Sequence, residues 1–414
     1  MGEIHHHDID DGLELVIEPI EGVRSVGLTW LIPAGSIFEP EDRQGLGAMW
    51  SELLLRGAGD MDSRAQADAF DRLGVNRGVS NGRNFLTISA TMLGERLDDA
   101  LGPIVDMVRC PRFDPGSIEP VRTLAQQSLA SLADDPHERA VVEARRHHFK
   151  SPLNRSGLGT TEGLASITRE DIAECWSRHA VPGGSILAIA GMVDPEMVGH
   201  RLRGLLAGWA GGSPVPQLEA RGVRGVHHEL DETNQVQIVV VHDAPAEHDE
   251  ESILERVLGA VLSGGMSGRL FTEVRERRGL CYAVSSAYAA SRDYGSVTAY
   301  VGTTPDRAQQ SLDVLLGELE RIGTGAGAVT EDEFARAILG LKSRVVFSGE
   351  STGARASSLA SDVFRLGRAR SLDEMTRAID AVTLDALNAY ASKRSLGRMT
   401  IQTLGPSALA AEPG

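Results

Sequence analysis

The sequence is short of several things that would assign it quickly. It holds three cysteines in 414 residues, Cys110, Cys175 and Cys281, far apart and with no C-x-x-C pair. They read as reduced, buried small hydrophobes in a reducing compartment. Basic residues are outnumbered, 41 Lys+Arg against 58 Asp+Glu, for a net charge of -17. A nucleic-acid partner is excluded on that balance, because phosphate binding needs clustered Lys and Arg. The acidity itself reports solubility and names no substrate. No apolar run reaches the roughly 18 residues that span a bilayer, so no membrane segment is expected. The N-terminus has neither the charged start nor the apolar core of a secretory signal. His6 stands where a myristoylation signal wants Ser or Thr, so the cytoplasm is the expected compartment.

What is present is an alternation of strand and helix patterns. Residues 13–18 and 24–34 read as strands, 64–73 as a helix capped by Ser63, and 76–80 and 84–92 as strands. Helices are expected over 97–108 and from Asp114-Pro115 to about Leu132. A repeat follows. Residues 167–195 and 382–406 both give a Thr cap, a helix, a turn, an alternating strand and a Gly-to-Pro ending, about 215 residues apart. The expectation is two similar domains, 1–210 and 226–414, joined by the Pro- and Gly-rich linker 211–225. The tail after Gly405 reads as disordered.

Three histidine runs attract attention. His147 and His148 are adjacent on a predicted helix, so they point about 100° apart and do not converge on one ion; they read as a plain helix face. His5-His6-His7 reads as a mobile terminus. His227-His228 precedes a predicted strand, where neighbours face opposite ways.

The informative stretch is Gly45 to Ala58, an amphipathic helix between glycines, with Met49, Trp50, Leu53 and Leu54 at helical spacing. It resembles the active-site helix of the pitrilysin/insulinase family of inverted-motif zinc peptidases, Gly-x-Ala-His-x-x-Glu-His-x-x-x-x-Gly-Thr. In that pattern two His four residues apart share a helix face and bind zinc, and the Glu between them takes a proton from zinc-bound water. Matching Arg56-Gly57-Ala58 to the end of the motif puts Ala48 at the first His, Ser51 at the base and Glu52 at the second His. The last family ligand, a Glu about eight residues before an Asp-Pro, falls at Ser128, and no acidic residue lies between Pro120 and Ala133. One carboxylate does not make a three-ligand catalytic site.

The second half carries a longer match. Gly264-Gly265-Met266-Ser267-Gly268-Arg269-Leu270-Phe271, then Arg275-Glu276-Arg277-Arg278-Gly279-Leu280-Cys281-Tyr282, resembles the family's Gly-Gly-x-Ser-Ser-Arg-Leu-Phe and Arg-Glu-x-x-Gly-Leu-x-Tyr. The resemblance spans nearly the whole chain. It implies an α/β (α+β) chain of two tandem domains, each a mixed, mostly antiparallel sheet covered by helices, forming half of a clamshell. It also implies that Arg275 and Tyr282 hydrogen-bond a peptide's carbonyls beside the scissile bond.

The function so implied is that of a non-catalytic, substrate-binding subunit of a heterodimeric zinc metallopeptidase. This chain would hold no metal or cofactor. Zinc is expected in a paralogous partner chain, and the ligand is a peptide. One alternative is a purely structural scaffold like the core proteins of the respiratory cytochrome complex, which loss of Arg275 and Tyr282 would have favoured. The other is an active endopeptidase with a displaced metal site, for which the sequence offers no ligands.

Overall fold

A computed structural model describes residues 3–9, 12–216 and 222–411. In chain order the elements are β1 (His5–Ile9), β2 (Leu13–Pro19), β3 (Ser25–Ile32), α1 (Leu46–Leu53), β4 (Gly57–Ala58), β5 (Met61–Asp62), α2 (Ser63–Leu73), β6 (Asn76–Asn81), β7 (Leu86–Leu93), α3 (Leu97–Arg109), α4 (Pro115–Ala130), α5 (Pro136–His148), α6 (Thr161–Ser166), α7 (Arg169–His179), β8 (Ile186–Gly191) and α8 (Pro195–Leu206). The second half continues with β9 (Val226–Leu230), β10 (Val236–Ala244), α9 (Ser252–Ser263), a π-helical turn (Phe271–Glu276), β11 (Cys281–Ala290), β12 (Gly295–Thr303), α10 (Ala308–Arg321), α11 (Glu331–Glu350), α12 (Thr352–Leu366), α13 (Leu372–Asp380), α14 (Leu384–Lys393) and β13 (Thr400–Gly405). Among the described residues no helix is long and apolar enough to cross a membrane.

The chain forms two compact units, and neither is continuous in sequence. The first takes residues 1–131, 151–218 and 348–370; the second takes 132–150, 219–347 and 371–414. The expected domains, 1–210 and 226–414, therefore trade one segment each: α5 leaves the first half for the second unit, and α12 leaves the second half for the first. Part of the expected linker, 217–221, lies outside the described residues.

The sheets explain the trade. In the first unit the strand order is β1-β2-β8-β3-β7-β6, all antiparallel except β2 with β8. Strand β8, Ile-Leu-Ala-Ile-Ala-Gly, is buried at every residue, which marks a strand covered on both faces. One face packs on the main core with α1, α3 and α7. Val16, Leu31, Ile186, Ala188 and Ala190 on the other face meet Ala356, Leu359, Ala360 and Val363 of α12. The approach is close enough that a Cβ at Gly27 of β3 would lie 2.4 Å from the Thr352 backbone, so glycine is required there. Arg355 of α12 is buried and pairs with buried Glu18 of β2; its other arm donates to the Arg370 carbonyl at 2.8 Å.

The second unit repeats this plan. Its order is β11-β12-β10-β13-β9, antiparallel except β13 with β9. Strand β13 is likewise buried throughout. Ala140, Val141 and Ala144 of α5 cover Val239, Val241 and Leu404. Arg139 of α5 reaches Glu229 at 2.6 Å and Asp231 at 2.8 Å.

Several expectations are corrected. His5-His6-His7 is no mobile terminus: it begins β1, paired antiparallel with Leu15–Ile17 of β2. Helix α2 is capped by Asp62, whose carboxylate accepts from Ala65 N at 2.8 Å, where Ser63 was expected. The tail is packed as far as residue 411. Gln309 donates to the Ala410 carbonyl at 2.8 Å and accepts from its amide at 2.8 Å. Cys175 is buried, but Cys110 is exposed and Cys281 half-buried; none of the three is in a disulfide.

Candidate functional site

Helix α1 starts at Gly45, whose φ of 119° turns the chain into the helix. Its first amides are held by a side chain from outside the helix. The carboxylate of Glu39 accepts from Gly45 N at 2.9 Å and from Gly47 N at 2.8 Å. Leu46, Met49, Trp50 and Leu53 face the core, and Trp50 Nε1 donates to the Ile172 carbonyl at 3.2 Å.

The three motif positions on this helix are otherwise engaged. Ala48 is half-buried and carries no donor atom. Ser51 Oγ donates back to the Gly47 carbonyl at 2.8 Å, which occupies its proton. Glu52 is half-exposed, 3.9 Å from Arg56 on the same helix. Helix α4 packs against α1, so the family's framework of two helices is present. Ser128, however, is exposed near the end of α4, and only its carbonyl is used, by Ser131 Oγ at 2.8 Å. A methyl group, a committed hydroxyl and a carboxylate beside an arginine do not fit a zinc ion. Among the described residues no group of three or more His, Cys, Asp or Glu is placed to hold a metal.

The second unit offers a different arrangement. The π-helical turn is recorded by an i→i+5 bond, Arg277 N to Thr272 O at 2.9 Å, a distortion that concentrates at functional sites. Three arginines leave this turn and differ in their partners. Arg277 and Arg278 both reach Glu273, each at 2.6 Å. Arg275 has no carboxylate among the described residues; its guanidinium lies over the Phe271 ring, 4.9 Å from the centroid. Gly279, with φ of 60°, then turns the chain, and buried Leu280 anchors it through Thr303 Oγ1 at 2.5 Å.

Tyr282 follows as the second residue of β11. The pairing register with β12 slips between Cys281 and Ala283, so Tyr282 is the extra residue of a β-bulge, a device that re-aims a side chain. Its ring is 72% exposed, and its hydroxyl has no partner among the described residues. Arg275 is near this point. Burial pushes the adjacent Cys281 thiol up to about 11, while the Arg275 charge works in the opposite direction. Of the same motif, Arg269 is structural. It is buried against Glu333 at 2.6 Å and the Gly327 and Ala328 carbonyls at 2.6 and 2.9 Å.

The histidine runs divide as their spacing requires. His147 stacks on His227, centroids 3.7 Å apart and planes 4° apart. His148 is not part of a plain helix face. It is buried, with Nδ1 3.1 Å from Thr400 Oγ1 and Nε2 3.4 Å from Asp243, which Arg224 also holds. Those contacts hold the Asp243 carboxyl far below the usual carboxylate range. His228 turns the other way, to Thr403 Oγ1 at 2.9 Å.

Glu39 went unread in the sequence. Its neighbours Glu41 and Asp42 are exposed, and the loop looks uniformly solvated. The two glycine amides at the start of α1, Gly45 before it and Gly47 in its first turn, were the available signal. Desolvation pushes its carboxyl up to about 7, against the opposing pull of those amides and of Arg155.

Comparison with known proteins adds the family. A model described as Insulinase (Peptidase family M16) matches residues 16–161, and one described as Peptidase M16 inactive domain matches residues 166–341. An uncharacterized zinc protease of Streptomyces coelicolor is 27% identical over 417 residues, covering 98% of this chain and 90% of its own. Two solved structures share the fold. The peptidase M16 inactive domain from Pseudomonas fluorescens has a TM-score of 0.88 at 17% identity, covering all of both chains. A chain of complex III2 from Candida albicans has 0.83 at 17% identity, covering 98% of this chain and 96% of that one. The chain belongs to the insulinase family of peptidases and their inactive homologues.

Proposed function

We propose that this chain is the non-catalytic, substrate-binding member of a two-chain zinc peptidase, acting on peptides held at a zinc-bearing paralogue. The observation that carries this reading is the contrast within one turn. Arg277 and Arg278 are tied to Glu273, while the side chains of Arg275, which rests on the Phe271 ring, and of Tyr282 are exposed and have no hydrogen-bond or carboxylate partner among the described residues. A guanidinium offers several fixed donors and a phenol one, which suits the carbonyls of a peptide backbone. Helix α1, by contrast, holds no base and no ligand set.

Donors that tighten on a carbonyl as it becomes an oxyanion lower the barrier, and losing one costs roughly 100- to 1,000-fold in rate. Co-expression with a paralogue carrying an intact His-x-x-Glu-His helix is expected to give a cleaving complex with one zinc site, in the partner. Arg275→Ala or Tyr282→Phe in this chain is expected to cripple that cleavage, with assembly and zinc content unchanged. The fold likeness to a chain of complex III2 favours one competitor, a scaffold without peptide work. Normal cleavage by both variant complexes would put it ahead.

A further inference from the structure

The second unit holds a groove that takes no part in the arrangement around Arg275. It lies between the loop leaving β10, the first turn of α9 and the end of α14, and has a volume of about 470 Å³. Ligand pockets fall in that range of size. Pro245, Leu254, Ala386 and Ala389 give it apolar walls, and Tyr390 lines it as well.

Arg394 is the polar group built into this groove. Its side chain is 5% exposed, with Nε 3.0 Å from one oxygen of buried Glu255 and Nη2 3.0 Å from the other. The Tyr390 hydroxyl donates to Glu255 at 2.6 Å, and Arg394 Nη2 also meets His242 Nε2 at 3.0 Å. Burial pushes His242 down to about 3, so its ring is neutral. Its Nδ1 donates to the Asp243 carbonyl at 2.8 Å, which leaves Nε2 as the acceptor for Arg394. The guanidinium is thereby fixed along one edge, and Nη1 is left over. That nitrogen has no partner among the described residues and is not sealed from solvent.

The groove carries further donors and a set of acids. Lys393 ends α14, is exposed and has no carboxylate partner among the described residues. Helix α9 has no side-chain cap, and the Leu254 amide in its first turn has no partner among the described residues. An uncapped helix start favours an anion. Asp249 is half-exposed and accepts from the Ala246 amide at 2.7 Å; Glu251 is exposed, with no cation beside it among the described residues. Asp243 also lines the groove, but its carboxylate is spent on Arg224 and His148.

We infer that this groove binds a short peptide with both termini free, a dipeptide or tripeptide, whose carboxylate is taken by Arg394 Nη1 and Lys393 and whose ammonium is taken by Asp249 and Glu251. A zwitterion satisfies both sets at once. A lone anion leaves the two acids unmatched, and the Arg394 charge that would hold it is already neutralised by Glu255. A lone cation leaves Nη1 and Lys393 without an acceptor. One amino acid would underfill the space, and the apolar walls have side chains to take. Two or three extended residues span about 7–11 Å at ~3.3–3.6 Å each. The inference does not rest on the reading of Arg275 and Tyr282, neither of which lines the groove.

The test is isothermal titration calorimetry on the purified full chain with alanyl-leucine as the probe. Saturable binding at one site is expected. N-acetylated and C-amidated versions are each expected to bind at least ~10-fold more weakly, because each block leaves charged groups of the groove unpaired. Lys393→Gln and Glu251→Gln are surface changes expected to keep the parent Tm. Lys393→Gln should shrink the penalty of amidation and leave that of acetylation; Glu251→Gln should do the reverse. No binding of alanyl-leucine, blocked peptides that bind as well as the free one, or variants that alter neither penalty would overturn the inference. Free alanine binding as tightly as alanyl-leucine would overturn the peptide class. Inorganic phosphate that displaces the probe, with the acetylated peptide binding as well as the free one, would make this an anion site and overturn the zwitterion.

Discussion

Glu39 is a carboxylate enclosed by the segment it organises. It is buried, its two oxygens are taken by the Gly45 and Gly47 amides, and Arg155 lies beside it, donating to the Glu39 backbone carbonyl. The amides and Arg155 favour the anion, as does their common position at a helix N-terminus; burial opposes it and prevails. The sign of the pH effect follows. The folded state holds the proton up to about 7 against 4.5 for the free side chain, so this group's contribution to stability is full below 4.5 and is lost as the pH rises through about 7. The wild-type Tm is expected to fall more than that of Glu39→Gln over the same pH interval. The amide does not ionise, and the other ionisable groups are common to both proteins. Parallel profiles in thermal melts would remove the effect.

At the scale of elements, α12 is held to the first unit by a buried ion pair inside an apolar contact. Arg355 and Glu18 are 1% and 2% exposed, and one arm of the guanidinium has no partner. Removing a single partner leaves a stranded buried charge, so Glu18→Ala is expected to cost about 3–5 kcal/mol. The paired replacement Glu18→Leu with Arg355→Met should recover most of that loss, as read from urea midpoints. Leu359→Ala in the same helix is expected to cost about 2–5 kcal/mol through the cavity it leaves. These contacts also mark the limit of what the sequence disclosed. The strands and helices were legible because apolar residues recur at periods of 2 and 3.6, as in Leu86–Leu93 and Leu97–Arg109. Strands β8 and β13 read only as alternating strands, and their burial on both faces came from the structure. The pattern says which face of a helix is apolar, but not which sheet it will cover, so the trade of α5 and α12 was invisible. His5-His6-His7 was misread for a related reason: it has no apolar alternation, and becomes a strand because β2 offers it an edge. At the candidate site, the positions of Arg275 and Tyr282 followed from the motif and the turn at Gly279. The bulge at Tyr282 and the missing carboxylate at Arg275 needed coordinates.

For the whole molecule, the trade ties the stability of one unit to the chain of the other. The first half alone lacks α12 and would leave Val16, Leu31, Ile186, Ala188 and Ala190 bare; the second half alone lacks α5 and would expose Val239, Val241 and Leu404. Residues 1–210 and 226–414 expressed separately are therefore expected to be insoluble or molten. Co-expressed as two chains they should associate and melt in one transition with the intact protein's circular dichroism. Two soluble, independently melting halves would contradict the shared covering layers. The same geometry bears on how such a repeat could have arisen. A half-length forerunner would carry a sheet with one naked face and a helix with nowhere to dock, a deficit no monomer of it could mend. Two copies lending each other that helix would mend it at once. Exchange of that covering helix between two half-length copies is the contact pattern that the present chain holds within one molecule.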